Sequence, residues 1–311
     1  MSRTVLKVKK ENHMYPIVTV IMPCYNMAGT IKDSVKSVLS STLKDLEIVI
    51  VDDGSKDGSL GIIEELARND DRIRYVHQEN QGVSVARNTA LELAKGRYIF
   101  PLDADDQLCP SFLEKAVRIL DERPDVKVVV PRGVFFGGRQ GEWRLPDFSL
   151  SLLARKNMIP ALSLYRKEDG LNIGGYSKEI IAREDWEFWI RMLKDGGEVV
   201  KIWDEIGLRY RISKNSKRER DREYMRLVID YLNLHHADFL KRELGGPLRY
   251  HRSWSKQINR IVALFPKRLS SWLSRFSISL LETEIFENLL EFGEESNALQ
   301  DLLLDDVLFI L

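Results

Sequence analysis

The sequence predicts an α/β fold: a Rossmann-like, mostly parallel sheet with helices on both faces, followed by a C-terminal helical region. Three observations carry this. Short β-branched runs alternate with helical patterns over the first 130 residues. The runs are continuously apolar, as in strands buried on both faces. Each is cut off by a polar cluster, and in such sheets ligands bind beyond the carboxyl ends of the strands.

In order, Ile17–Met22 is the first strand, ended by Pro23, and Ile31–Leu39 spaces Ile31, Val35, Val38 and Leu39 as one helical face. Leu46–Val51 is the second strand, ended by Asp52-Asp53-Gly54, and Leu60–Ala67 is helical. Ile73–Val76 is the third strand and Val83–Ala94 the helix after it. Arg97–Leu102 is the fourth strand, cut off by Asp103-Ala104-Asp105-Asp106; Phe112–Leu120 is helical and Val126–Val130 the fifth strand. Residues 133–175 are irregular and rich in Gly and aromatics, which suits a region that shapes a substrate. Asp185–Leu193 returns to helical spacing, and Val199–Trp203 and Ile206–Arg211 read as two closing strands. These patterns divide the chain into an N-terminal extension (1–15), a catalytic domain (16–216) and a helical region (217–311).

The 311 residues suffice for one large α/β domain with an appendage. At 44% hydrophobic and 30% charged, the chain is too apolar for disorder. Its 47 basic and 47 acidic residues cancel, which argues against a nucleic-acid partner. Cys24 and Cys109 form no CxxC pair, so neither a disulfide framework nor a zinc cluster is expected. The first ten residues are polar and basic, and no apolar window is long enough to cross a bilayer. The expected location is the cytoplasm, with membrane contact only at the surface.

Three carboxylates on one strand-ending turn, Asp103, Asp105 and Asp106, are more than helix capping needs. Side chains so placed can share a hard divalent cation that offsets the charge of a leaving diphosphate. Asp52 and Asp53 end the second strand. One acid would serve the turn, and a second suits a ligand contact such as a nucleobase imide N–H. Tyr25 either stacks on a base or ends a strand, with Pro23 stiffening the loop. Arg87 either reaches a phosphate or makes a surface salt bridge. Asp185, at a helix start, is either an N-cap or a general base that must be ionised to deprotonate a hydroxyl.

Taken in order, the P-x-Y-N loop, V-D-D-G-S-x-D-x-S, N-x-G-x-x-x-A-R-N, G-R-Y-I-x-x-L-D-A-D-D, G-G-Y and E-D-W-x-x-W-x-R-x-L resemble the inverting glycosyltransferases of family 2, of GT-A fold. The likeness covers about residues 16 to 216. It implies transfer of a sugar from a nucleoside diphosphate, usually UDP, to a hydroxyl of a glycan or lipid-linked glycan. On this likeness Asp53 holds the base beside Pro23 and Tyr25, and Asn80 and Arg87 line the nucleotide pocket. Asp103, Ala104 and Asp105 form the DXD motif, binding ribose and Mn²⁺ or Mg²⁺, with Asp106 an alternative metal ligand. Asp185 is the catalytic base, and Glu184 helps place the acceptor. The chain departs from the pattern at Ser213, where many relatives carry a His that completes the metal site. Competing readings are a sugar nucleotidylyltransferase, disfavoured because the loop after the first strand is short and lacks Arg, and an inactive nucleotide-sugar-binding homologue.

From Leu244 to Leu281 there is no acidic residue, while seven Lys and Arg interleave with Trp254, Phe265, Trp272 and Phe276. The pattern suits either a helix at an anionic membrane surface or a hairpin packed on the protein or on a second subunit. Glu282–Leu311 holds nine acids and no base, and can pair with the basic stretch within the chain or across a homodimer.

Overall fold

The computed structural model describes residues 15–212 and 224–249. The chain divides into a unit ending at Leu234 and a second beginning at His235. The expected boundary at residue 216, Ser213, and the basic and acidic stretches beyond residue 249 lie outside the described residues.

The described strands of the first unit form one nine-stranded sheet in the order β3-β2-β1-β4-β8-β6-β9-β5, with β7 paired to β6. Its first half is parallel: β1 (Val18–Cys24), β2 (Leu46–Asp53), β3 (Ile73–Gln78) and β4 (Tyr98–Pro101). Between them run α1 (Ile31–Leu39), α2 (Ser59–Asn69) and α3 (Val83–Leu93), close to the predicted spans. β5 (Gln107–Leu108) and α4 (Phe112–Glu122) follow, then β6 (Val126–Gly137).

The sheet is covered on both sides because successive side chains of a strand point to opposite faces. Val18, Val20, Met22 and Cys24 of β1 and Leu46, Ile48 and Ile50 of β2 share a core with Ile31, Val35 and Val38 of α1, Ile63 of α2 and Phe112 to Leu120 of α4. The residues between them, Ile21, Val49 and Val51, are equally buried, and α3 packs on β1 and β2 with Ala86, Ala90 and Leu91 buried. At the foot of α3 the Glu47 carboxylate accepts from the Thr19 hydroxyl (2.7 Å), Lys95 N (2.6 Å) and Arg74 (2.9 Å). Gly96 donates its N–H to Thr19 and lies so close that a Cβ there would sit 2.5 Å from Thr19 N.

The second half of the sheet departs from the sequence reading. The stretch taken as irregular holds the end of β6, then β7 (Gly141–Trp143), α5 (Leu150–Arg155), β8 (Leu164–Arg166) and α6 (Lys167–Asn172). β8 lies between β4 and β6 and runs antiparallel to both. Three residues are too few for a periodic signal, yet Tyr165 of β8 is fully buried against Phe188 (5.2 Å) and Trp189 (5.7 Å) of α7 (Glu184–Leu193). The two expected closing strands are one, β9 (Glu198–Ile212), with register shifts against β6 near Arg132. Asp204 and Glu205 interrupt its apolar pattern where residues 203–205 drop out of the pairing with β6, and they bond to Lys115 and Ser111 at the start of α4. After residue 223 come α8 (Met225–His235) and, in the second unit, α9 (Ala237–Leu244). Among the described residues no helix is long and apolar enough to cross a membrane.

Candidate active site

The loops after β1, β2 and β3 are tied to one another. Asn26, in the left-handed region at φ 55°, accepts from Lys56 N (2.8 Å) and donates its own N–H to Ser55 (2.9 Å). Met27 N and Ala28 N donate to Ser59 and Asp57. Asp53 is buried and accepts from Gln78 Nε2 (2.8 Å), Gln81 N (2.9 Å) and Gly82 N (2.9 Å), so it clamps the loop that opens α3. Gly54, at φ +76°, leaves room for that loop: a Cβ would stand 2.8 Å from Asn80 N. Tyr25 and Asn80 are exposed around this clamp, and Pro23 is half-buried. Asp52 points away from Asp53, wholly buried, and meets His77 Nδ1 at 2.6 Å.

The Asp103–Asp106 turn is closed by Asp106 N donating to Asp103 O (3.1 Å). β9 holds its far side: Arg211 N donates to Asp106 Oδ1 (2.7 Å), and Arg211 Nε to the Asp105 carbonyl (2.9 Å). Ala104 and Asp106 are buried, while Asp103 and Asp105 are half-buried. Burial and the neighbouring Asp103 push the Asp105 carboxyl up to about 6. Burial, then Asp105 and Asp103, push Asp106 up as well, and its Oδ2 is enclosed without a hydrogen-bond partner.

Arg87 is neither a surface salt bridge nor open to a phosphate here. It is 2% exposed, with Nη2 on Asp103 Oδ1 (2.9 Å), Nη1 on Glu184 Oε1 (2.8 Å) and its guanidinium over the Tyr176 ring (5.3 Å). Burial alone would favour losing the charge, but Asp103 and Glu184 outweigh it and hold the group firmly protonated. Its neighbour Asn88 secures the G-G-Y turn, donating to Tyr176 O (2.8 Å) and accepting from Tyr176 N (2.7 Å).

α7 brings up the fourth element. Its N-cap is Arg183, in the left-handed region at φ 59°, so Asp185 is not a cap but lies in the first turn behind Glu184. Glu184 is drawn in by Arg87, and the helix starts two residues earlier than it would with Asp185 as its cap. The Asp185 carboxylate accepts from Trp186 N (2.9 Å) and Asn157 Nδ2 (2.7 Å). Burial, then Glu184, push its carboxyl above the usual range, while Arg87, Asn157 and Arg183 draw it back. Sequence reasoning placed Asp103, Asp105, Asp106, Glu184 and Asp185 but missed Asn157 and Arg211; nothing local to 157 marks it.

The turn after β4 and the start of α7 thus bring carboxylates together on a buried guanidinium. A family model for glycosyl transferase family 2 matches residues 19–183, just over half of the chain. The chain belongs to that family. It is 45% identical over 109 residues to the putative teichuronic acid biosynthesis glycosyltransferase TuaG of Bacillus subtilis (strain 168), covering 35% of this chain and 43% of that protein. The matched stretch spans 30% to 43% of the length of the first curated relatives. In fold it is similar to S. aureus TarS 1-349 in complex with UDP-GlcNAc, with a TM-score of 0.61 at 21% identity over 81% of this chain and 76% of that one. It is also similar to the mannosyltransferase PcManGT from Pyrobaculum calidifontis in complex with GDP-Man and Mn²⁺, at TM-score 0.53 and 18% identity over 94% and 86% of the two chains.

Proposed function

We propose that this chain transfers a sugar from a nucleoside diphosphate, UDP in the first instance, to a hydroxyl of a glycan or lipid-linked glycan, inverting the anomeric carbon. The single observation that carries the reading is the buried Arg87 bridge between Asp103 and Glu184. It joins the turn suited to a diphosphate to the helix start suited to a base, two segments 81 residues apart in the chain. The family, and the nucleotide sugars bound to TarS and PcManGT, support the donor class.

In this reading Tyr25, Pro23, Asp53 and Asn80 surround the base, and Arg87 fixes the floor of the pocket rather than touching phosphate. Among the described residues no group of three or more His, Cys, Asp or Glu is placed to hold a metal. Asp103 and Asp105 nevertheless fit Mg²⁺ or Mn²⁺. Such ions take one or two carboxylates and complete their shell with water and substrate phosphate, and the crowding that raises Asp105 is the kind a cation relieves. Asp106 gives Oδ1 to Arg211 N, and its unpartnered Oδ2 leaves it the alternative ligand. The bound ion would offset the charge of the departing diphosphate. Asp185 accepts the proton of the acceptor hydroxyl as its oxygen attacks from the face opposite the diphosphate, and Glu184 borders the acceptor.

Purified protein is expected to release UDP from UDP-sugars slowly without an acceptor, in Mn²⁺ or Mg²⁺ and not in EDTA. Because Asp105 must be ionised to bind metal, the metal requirement rises as pH falls through about 6. Equal UDP release with and without metal sinks the metal assignment.

We also propose that the acid-free stretch 244–281 meets anionic lipid, at about 1 kcal/mol per Lys or Arg near the surface, weakening with salt. The full chain is expected to co-sediment with phosphatidylserine vesicles at low salt and not with phosphatidylcholine ones. If it stays in the supernatant with both and a chain ending at 244 changes oligomeric state, the stretch is a dimer element instead.

A further inference from the structure

Two ties hold the start of α7 against the segment at α5. Trp186 Nε1 donates to Leu153 O (2.6 Å), and Asn157 Nδ2 donates to Asp185 Oδ2 (2.7 Å). Trp186 N takes the other carboxylate oxygen at 2.9 Å. Both oxygens of Asp185 are therefore fixed, one by its own helix and one from outside.

Asn157 is an expensive way to fill this place. It is half-buried, with the buried Leu153-Ala154 and Met158-Ile159 on either side in the chain, and its Oδ1 is enclosed with no partner. Leaving such an atom unsatisfied costs the protein the water the group gave up on burial. Such costs persist mainly where a site uses the group. The bond to Asp185 is also directional in charge. An ionised carboxylate only accepts, so it takes the amide NH₂; a protonated one would offer a donor and favour the amide oxygen.

We infer that Asn157 is the positioning residue for proton transfer: it aims the Asp185 carboxylate at the acceptor hydroxyl and favours its ionised form. The inference rests on Asp185 being the general base. The other groups that act on Asp185 are Glu184, which opposes its ionisation, and Arg87 and Arg183, which favour it; the buried Tyr176 phenol also faces it. Asn157 supplies the direct hydrogen bond among them, so its loss is felt as a change in when the base ionises.

The test is the acid limb of the kcat profile for UDP release from UDP-glucose and UDP-N-acetylglucosamine, at saturating Mn²⁺ and donor, in wild type, Asn157→Ala and Asn157→Asp. The donor that turns over serves. Both variants are expected to lose about 10–100-fold in kcat, the equivalent of one hydrogen bond to a charged group, with donor KM nearly unchanged. The acid limb moves to higher pH in Asn157→Ala, and further in Asn157→Asp, where a second carboxyl faces the first. Asn157→Asp is isosteric, so it decides the matter even if the alanine variant folds poorly. A purely structural role predicts that Asn157→Asp keeps its kcat, or that the limb stays at its wild-type position; either result overturns the inference. Asp185→Asn is assayed beside them. Inactive Asp185→Asn with an unmoved limb refutes only the role of Asn157, whereas active Asp185→Asn refutes the base assignment itself.

Discussion

Arg87→Met is expected to be the most damaging single substitution in the site, lowering both stability and turnover. The side chain is 2% exposed and bonds two carboxylates from distant segments. Removing one partner of a buried ion pair leaves the other charges uncompensated, typically at a cost of about 3–5 kcal/mol. Glu184 is as buried as Arg87 is, so it bears most of that cost; Asp103 is half-open to water and bears less. The melting temperature should therefore fall by roughly 10 °C, at about 2–4 °C per kcal/mol for a domain of this size. The loss should shrink as pH falls, because a buried acid without a counter-charge is stabilised by protonation. Arg87→Lys keeps the charge but not the fork, so it should recover part of the stability and little of the activity. A methionine variant that melts with wild type and turns over normally would show that the bridge organises nothing.

Asp185→Asn is expected to lower kcat by about 10²–10⁴, the range for losing a general base, while UDP affinity in Mn²⁺ is unchanged. The sign of its pH behaviour follows from its surroundings. Burial and Glu184 raise the carboxyl, so wild-type turnover falls as pH drops through that raised value and the base takes up a proton. The stability effect runs the other way. A raised folded-state value means that the native state holds its proton more tightly than the unfolded chain, so ionising Asp185 costs stability as pH rises. Asp185→Asn removes that cost and should melt no lower than wild type at neutral and alkaline pH. A variant that keeps most of its turnover with an acceptor would move the base elsewhere.

The fold was legible where the sequence repeats a simple device. β1 to β4 are apolar runs long enough to register, although β1 continues through Pro23 to Cys24, β2 takes in Asp52 and Asp53, and β3 reaches Gln78. The Asp103–Asp106 turn stands beyond β4 as expected, while Pro23 and Asp53 belong to the last residues of their strands rather than to the loops after them. β8 was hidden because three residues have no period, and β9 looked like two strands because residues 203–205, with Asp204 and Glu205, interrupt its pairing with β6. The carboxylates were legible as types in strand-end positions, but their partners were not. Arg87 pairs with residues 16 and 97 positions away, and Asn157 with one 28 away, beyond β8 and α6. Asp185 illustrates the difference: its place at a helix start was visible, but Arg183 takes the cap, because the pull of Arg87 on Glu184 is a tertiary effect.

The central claim, displacement at the anomeric carbon from the face opposite the diphosphate, is tested most directly by the anomer first formed. An α-linked UDP-sugar that the protein hydrolyses is followed by proton NMR in Mg²⁺ from the earliest time points, before mutarotation. The account predicts that the β-anomer appears first, with UDP in equal amount and no signal change in EDTA. An α-anomer formed first would contradict inversion with Asp185 as base, whatever the stability data on Arg87 show.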